Sequence, residues 1–269
     1  MESTEHTASR RWPVAAPDGE IARILLAFLA TAGIFYINIM PAIVDGLIEG
    51  LAFTNKEAGL VASSNTYGAA LGAFSAVFFV KRIDWRKAAY LLLGALILID
   101  LASILLTAAK PLIAFRFLHG VVGGSLVGIG FAVMSRTSEV SRSFGYLLTI
   151  QFGLGGLGII YLPSLVPLFG TKALFLALVG FSLVTLAMVP FLAEYPAGET
   201  HHGRVAGKIR RLPAALALLA TFLFQAANMG IYAYSIGIGK FAGLSPDFVS
   251  NSLGIGAWVA IAGSLLVIL

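Results

Sequence analysis

The chain has no cysteine among its 269 residues. That excludes a disulfide framework, a thiolate nucleophile and a zinc–thiolate site. Charge is scarce as well: Asp, Glu, Lys and Arg make up 12% of the residues, against roughly a quarter in a soluble domain. There is also no His-Glu-x-x-His, no Gly-x-Ser-x-Gly elbow, no Asp-rich metal motif and no P-loop. Gly153-Leu154-Gly155-Gly156-Leu157-Gly158 has the letters of a dinucleotide fingerprint, but it lies within an apolar run instead of following a strand. The expectation is a protein that is not an enzyme, with no metal, no cofactor and no nucleic-acid partner.

What is present is apolar. Hydrophobic residues reach 58%, and 30 glycines in such a chain suit helices packed closely in lipid. Eight stretches approach the roughly 20 residues that cross a hydrocarbon core: 21–44, 57–80, 87–108, 111–134, 143–166, 171–193, 213–237 and 247–269. The fold class expected is all-α, a polytopic transmembrane bundle of about eight helices. Residues 1–20 read as a polar tail without the apolar core and cleavage site of a secretory signal, so the first span is retained.

The basic residues alternate with the spans. Arg10, Arg11, Arg23, Lys81, Arg82, Arg86, Lys87, Arg136, Arg142, Arg204, Lys208, Arg210 and Arg211 fall on one side, and Lys56, Lys110, Lys172 and Lys240 on the other. The positive-inside rule makes the first side, with the amino terminus, cytoplasmic. The longest internal polar stretch, 194–212, divides six spans (21–193) from two (213–269). Its His201 and His202 have no acid or cysteine at metal-binding spacing, so it reads as a solvated linker whose basic face rests near anionic head groups.

A weak repeat pairs Thr54 with Ser245, Tyr67 with Trp258 and Gly72 with Gly263 at an offset of 191 residues. A fainter echo links Tyr67-Gly68-Ala69-Ala70-Leu71-Gly72 with Phe152-Gly153-Leu154-Gly155-Gly156-Leu157-Gly158. Parallel and inverted repeats of this kind are a feature of transporters. At this point the chain resembles the major facilitator superfamily of secondary transporters. The resemblance rests on the six-linker-two layout, on Arg116-x-x-x-Gly120-x-x-x-Gly124 in the fourth span, and on Glu139-Val140-Ser141-Arg142 after it. It rests also on Thr54-Asn55-Lys56-Glu57 leading to Tyr67-Gly68-x-x-x-Gly72.

Two departures stand out. Arg86 and Lys87 match the closing basic pair of the family's 2–3 loop, but Arg82 stands where that loop has Asp, which leaves Asp84 as a substitute two residues away. The family has twelve helices, whereas this sequence ends after eight with no basic anchor, so it reads as truncated and is not expected to transport alone.

The polar residues inside the spans are the candidates for solute binding or coupling. Arg116 is an ionised group in an apolar run, and such a group is a functional hypothesis by default. His119 shares its face at i+3 and titrates near neutral pH. Asp100 is the one acid deep in a span. Counting inward from the 3–4 loop leaves the two charges about 5 Å apart in depth, which an arginine side chain bridges. Two readings stand: a structural ion pair, or a proton carrier beside a cavity. Asn38, Tyr67, Gln151 and the helical face Gln225, Asn228 and Tyr232 offer amide and phenol groups either to a solute or to neighbouring helices. Pro41 is placed to bend the first span. Gly68 with Gly72, and Gly120 with Gly124, are small-x-x-x-small packing pairs.

The resemblance implies alternating-access transport of a small organic solute in the cell (inner) membrane. A proton is the expected coupling ion, and the charge of Arg116 leans the solute towards an anion. The alternative is a non-transporting truncated membrane protein or scaffold fragment. A channel would carry polar residues along a whole helix face, and these faces are polar only near mid-span.

Overall fold

The computed structural model describes residues 13–196 and 211–268. The expected contributions of Arg10, Arg11, His201, His202, Arg204, Lys208 and Arg210 lie outside the described residues. The order is α1 Glu20–Asn38, α2 Met40–Leu51, α3 Asn55–Phe79, α4 Trp85–Ser103, α5 Ala109–Met134, α6 Val140–Phe169 and α7 Lys172–Met188 with a 3-10 turn Val189–Phe191. After the linker come α8 Arg211–Ala233, α9 Ser235–Phe241 and α10 Pro246–Ile268. Among the described residues there is no strand, and six helical segments are long and apolar enough to cross a membrane. Of the other two spans, α3 carries the polar run Ser63-Ser64-Asn65-Thr66, and α4 carries Arg86, Lys87 and Asp100. Both pack inside the same bundle.

Two expected spans are not single helices. The first breaks at Ile39, whose backbone leaves the helical region (φ −107°, ψ 16°) two residues before Pro41. Proline has no N–H to donate to the preceding turn, so the helix restarts instead of continuing. The seventh breaks at Tyr234, between α8 and α9.

Glycine sets the closest helix crossing. A Cβ on Gly68 would strike the carbonyl of Phe117, and one on Gly72 that of Val121. In return, Gly120 faces the carbonyl of Asn65, and Gly124 that of Ala69. α3 and α5 therefore approach backbone to backbone. α6 and α10 repeat the device, with Gly156 and Gly254 each set against the other's carbonyl. The buried core has two layers: Leu26, Leu93, Leu96, Leu126 and Ile129 towards one end, and Ile39, Ile43, Leu47, Leu112 and Phe175 towards the other.

The side of the bundle that receives the basic loops is knitted together. Arg86 donates to the carbonyls of Leu192 and Ala193 at 2.7 and 3.0 Å and pairs with Glu194 at 3.2 Å. Arg136 donates to the Tyr195 carbonyl at 2.6 Å. Tyr195 Oη donates to the Pro17 carbonyl at 2.8 Å, and the Ser138 N–H donates to Asp18 at 3.0 Å. Arg23, Glu20, Arg142 and Glu139 alternate in a charge ring with contacts of 2.9 to 3.7 Å. The ends that charge counting assigns to one face do share one face.

Candidate functional site

The deepest polar cluster lies between α4 and α5. Arg116 Nη1 donates to Asp100 Oδ1 at 2.8 Å, and both side chains have zero exposure. Arg116 Nη2 donates to the Ser103 hydroxyl and to the Ile99 carbonyl. The guanidinium is flanked by the rings of Phe175 and Tyr36, 5.1 and 5.7 Å from their centroids. Every strong partner is thus supplied by α4, and two rings cover the group, a placement suited to a cation held in a medium without water.

Asn65 of α3, which sequence reasoning did not single out, completes the cluster. Its Nδ2 donates to the Arg116 carbonyl at 3.1 Å, and a carbonyl only accepts, so the amide orientation follows. The same Nδ2 lies 2.8 Å from His119 Nδ1. A nitrogen that accepts there leaves the imidazole proton on Nε2, which faces Asp100 Oδ2 at 3.4 Å. The cluster so drawn is neutral, one cation against one anion beside a neutral imidazole. A signal for Asn65 was present, since it lies one helical turn before the Ala69 that faces Gly124, on the α5 side.

The other polar candidates gather elsewhere. Asn38, Gln151, Asn228 and Tyr232 line one cavity of about 300 Å³ with Gly155, Gly156 and Gly256. It lies between α1, α6, α8 and α10. Tyr232 Oη donates to the Asn38 carbonyl at 2.6 Å, at the α1/α2 break. Among the lining residues there is no charged side chain. Gln225 is exposed and is not part of the lining, and Tyr67 is exposed on the outside of α3. Arg116, His119 and Asp100 are not among the lining residues of this cavity, and Asp100 and Ser103 occupy the guanidinium.

The 2–3 loop also resolves. Asp84 accepts from the backbone N–H groups of Arg86 and Lys87 at 3.0 and 3.2 Å and so caps α4. The hydrogen bond from Lys87 N–H, with that from Arg86, holds the Asp84 carboxyl below its usual range. Both cap bonds fall on Oδ1, and among the described residues Oδ2 meets only the exposed Lys87 ammonium. Arg82 is exposed, and Lys87 lies 3.7 Å from Asp84.

An all-helical bundle with long apolar helices and reciprocal glycine crossings has the build of a multi-pass membrane protein. The model of the Major Facilitator Superfamily matches residues 24–268, and the chain belongs to that family. Comparison with curated proteins and with solved structures finds no match. The family is one of secondary transporters, so transport of a small molecule across a membrane is the function class of this chain.

Proposed function

We propose that the chain binds a small, uncharged, polar organic solute in the cavity lined by Asn38, Gln151, Asn228 and Tyr232, and that it works by alternating access. The observation that carries this is the convergence of those four side chains, from positions 38 to 232, on one cavity free of charged lining residues. Amides and a phenol offer both donors and acceptors at fixed positions, which suits hydroxyl, amide or carbonyl groups. The lean towards an anion rested on Arg116, and Asp100 neutralises that charge.

In this reading the unit 21–193 moves against the segment 213–269, joined by the linker 194–212, with the amino terminus and the basic loops cytoplasmic in the cell membrane. The proton is the proposed coupling ion. Asp100 and His119 are adjacent buried titratable groups, and Arg116 sets the charge of the pair.

The test is solute uptake into proteoliposomes with and without an imposed pH gradient, over neutral polyols, amides and organic acids; no uptake of any solute by this chain would favour the non-transporting alternative. Gln151→Ala and Asn228→Ala should each abolish uptake of the neutral solute. A His119→Gln variant should keep solute exchange and lose gradient-driven accumulation. Uptake of organic acids alone, untouched by Gln151→Ala, would sink the assignment of this cavity.

A further inference from the structure

The cavity between α1, α6, α8 and α10 has two unlike sides. One is polar: Asn38, Gln151, Asn228 and Tyr232 come from α1, α6 and α8. The other belongs to α10, which contributes Leu253, Gly256, Ala257 and Ala260. Those residues stand at i, i+3, i+4 and i+7, so they form one helix face, and none has a side chain that can hydrogen-bond. Phe152 of α6 adds an aromatic ring to the lining.

The lining glycines are of two kinds. A Cβ on Gly155 would come within 3.1 Å of Asn38, and one on Gly156 within 2.6 Å of the Trp258 ring, so helix packing accounts for both. A Cβ on Gly256 meets nothing within 4 Å. No neighbouring helix needs that glycine, and its bare backbone leaves room in the cavity. The polar side has a donor to spare. Asn38 Nδ2 is buried with no hydrogen-bond partner among the described residues, which is costly unless a ligand supplies an acceptor. Tyr232 Oη gives its proton to the Asn38 carbonyl, so its oxygen is left as an acceptor.

We propose that the solute is a neutral planar ring with an amide edge, an aromatic carboxamide or a cyclic imide. This rests on the cavity being the solute site. The ring lies flat on the α10 face over Gly256, where only apolar contact is offered. Its edge turns a carbonyl to Asn38 Nδ2 and an N–H to the amide oxygens of Gln151 and Asn228 or to the Tyr232 oxygen. An amide edge sets donor and acceptor side by side, as the Asn and Gln side chains do, so the two can pair twice. A polyol is polar all round. It would turn hydroxyls to Leu253, Gly256, Ala257 and Ala260, where no side chain can partner them. The volume of about 300 Å³ lies at the lower end for small-molecule pockets, which suits a solute of one or two rings.

Calorimetric binding to the purified full chain in detergent tests this, with benzamide and uracil set against erythritol and xylitol. The planar amides should bind, and the polyols should bind at least about tenfold more weakly, the effect of a stranded hydroxyl. Gly256→Leu puts a side chain where only the cavity has room. It should weaken benzamide by about tenfold while the melting temperature stays no lower than the parent's. Gly256→Ser sets a hydroxyl on the apolar face and should narrow the gap between the two classes. Polyols that bind as tightly as the planar amides or more tightly, and are lost in Gln151→Ala, overturn the planar ring and leave the cavity standing as the site of a neutral solute. Planar amides that bind equally to the parent, Gly256→Leu and Gln151→Ala overturn both, and so does a chain that binds none of the four probes.

Discussion

Arg116 and Asp100 are 16 positions apart, and the α4–α5 hairpin brings them to 2.8 Å with neither side chain exposed. Removing one partner strands the other charge in the bundle, at a cost of about 3–5 kcal/mol. Arg116→Met alone and Asp100→Leu alone should therefore each lower the melting temperature strongly in detergent. The double variant should recover most of the loss. Additive losses in that cycle would show that the two charges are not coupled.

The glycine crossing makes a second prediction with a built-in control. Gly120→Ala pushes a methyl into the Asn65 carbonyl, and Gly68→Ala into that of Phe117. Each should destabilise the protein by about 1–3 kcal/mol, because neither backbone has room to yield. Gly180 lies within α7 and a Cβ there meets nothing within 4 Å, so Gly180→Ala should be neutral or slightly stabilising. Equal effects in thermal melts at all three positions would contradict the packing described.

The two tyrosines near the break at Tyr234 should behave differently. Tyr232 lines the cavity and Tyr234 does not, although each donates to one backbone carbonyl. Either Phe variant should cost about 1 kcal/mol of stability from the lost hydrogen bond. Only Tyr232→Phe should also weaken the melting shift produced by the transported solute. A weakened shift in Tyr234→Phe as well would place the solute elsewhere.

The basic end carries a pH dependence. The Ser138 backbone N–H is the chief cause that holds the Asp18 carboxyl below its ordinary value of 3.8. The folded form prefers the carboxylate, so this contribution is fully present above the unfolded value and fades as pH falls through the lower folded one. Hydrogen exchange at Ala15, whose N–H donates to the Phe191 carbonyl at 2.9 Å, should thus stay protected at neutral pH and lose protection below about 4. Asp18→Asn should show the weaker protection at every pH. A wild-type profile with no change down to about pH 2 would refute the link.

Much of the fold was legible because lipid leaves few options. A backbone that cannot hydrogen-bond to solvent must pair within itself, in helices or closed barrels, and apolar runs of about 20 residues suit helices. The positions of Arg23, Arg86, Arg136 and Arg142 marked one end of the bundle, and Gly68, Gly72, Gly120 and Gly124 marked its tightest crossing. The breaks at Ile39 and Tyr234 were harder to read. Pro41 signals a bend, but nothing in the periodicity of 213–237 distinguishes a continuous helix from α8 followed by α9.

The site was legible only in part. Sequence spacing puts residues on one face of one helix and says nothing of which helix that face meets. Arg116 and Gln151 both read as polar groups in apolar runs, yet one is sealed against Asp100 and the other lines a cavity. Asn65 was easily passed over as one more polar residue in Ser63-Ser64-Asn65-Thr66, and its contacts with the Arg116 carbonyl and His119 give it a role.

The sequence by itself determined an all-helical, apolar bundle with the stamp of a membrane protein, and which family it joins. Composition, hydropathy and charge are local sums, and a bilayer responds to local sums. The tertiary structure alone decided that Arg116 is neutralised while Asn38, Gln151, Asn228 and Tyr232 meet, and that Lys240 reaches Asp45 from 195 positions away. Those outcomes depend on how helices rotate and cross. That is set by many shallow packing contacts acting together, and no stretch of sequence contains it alone.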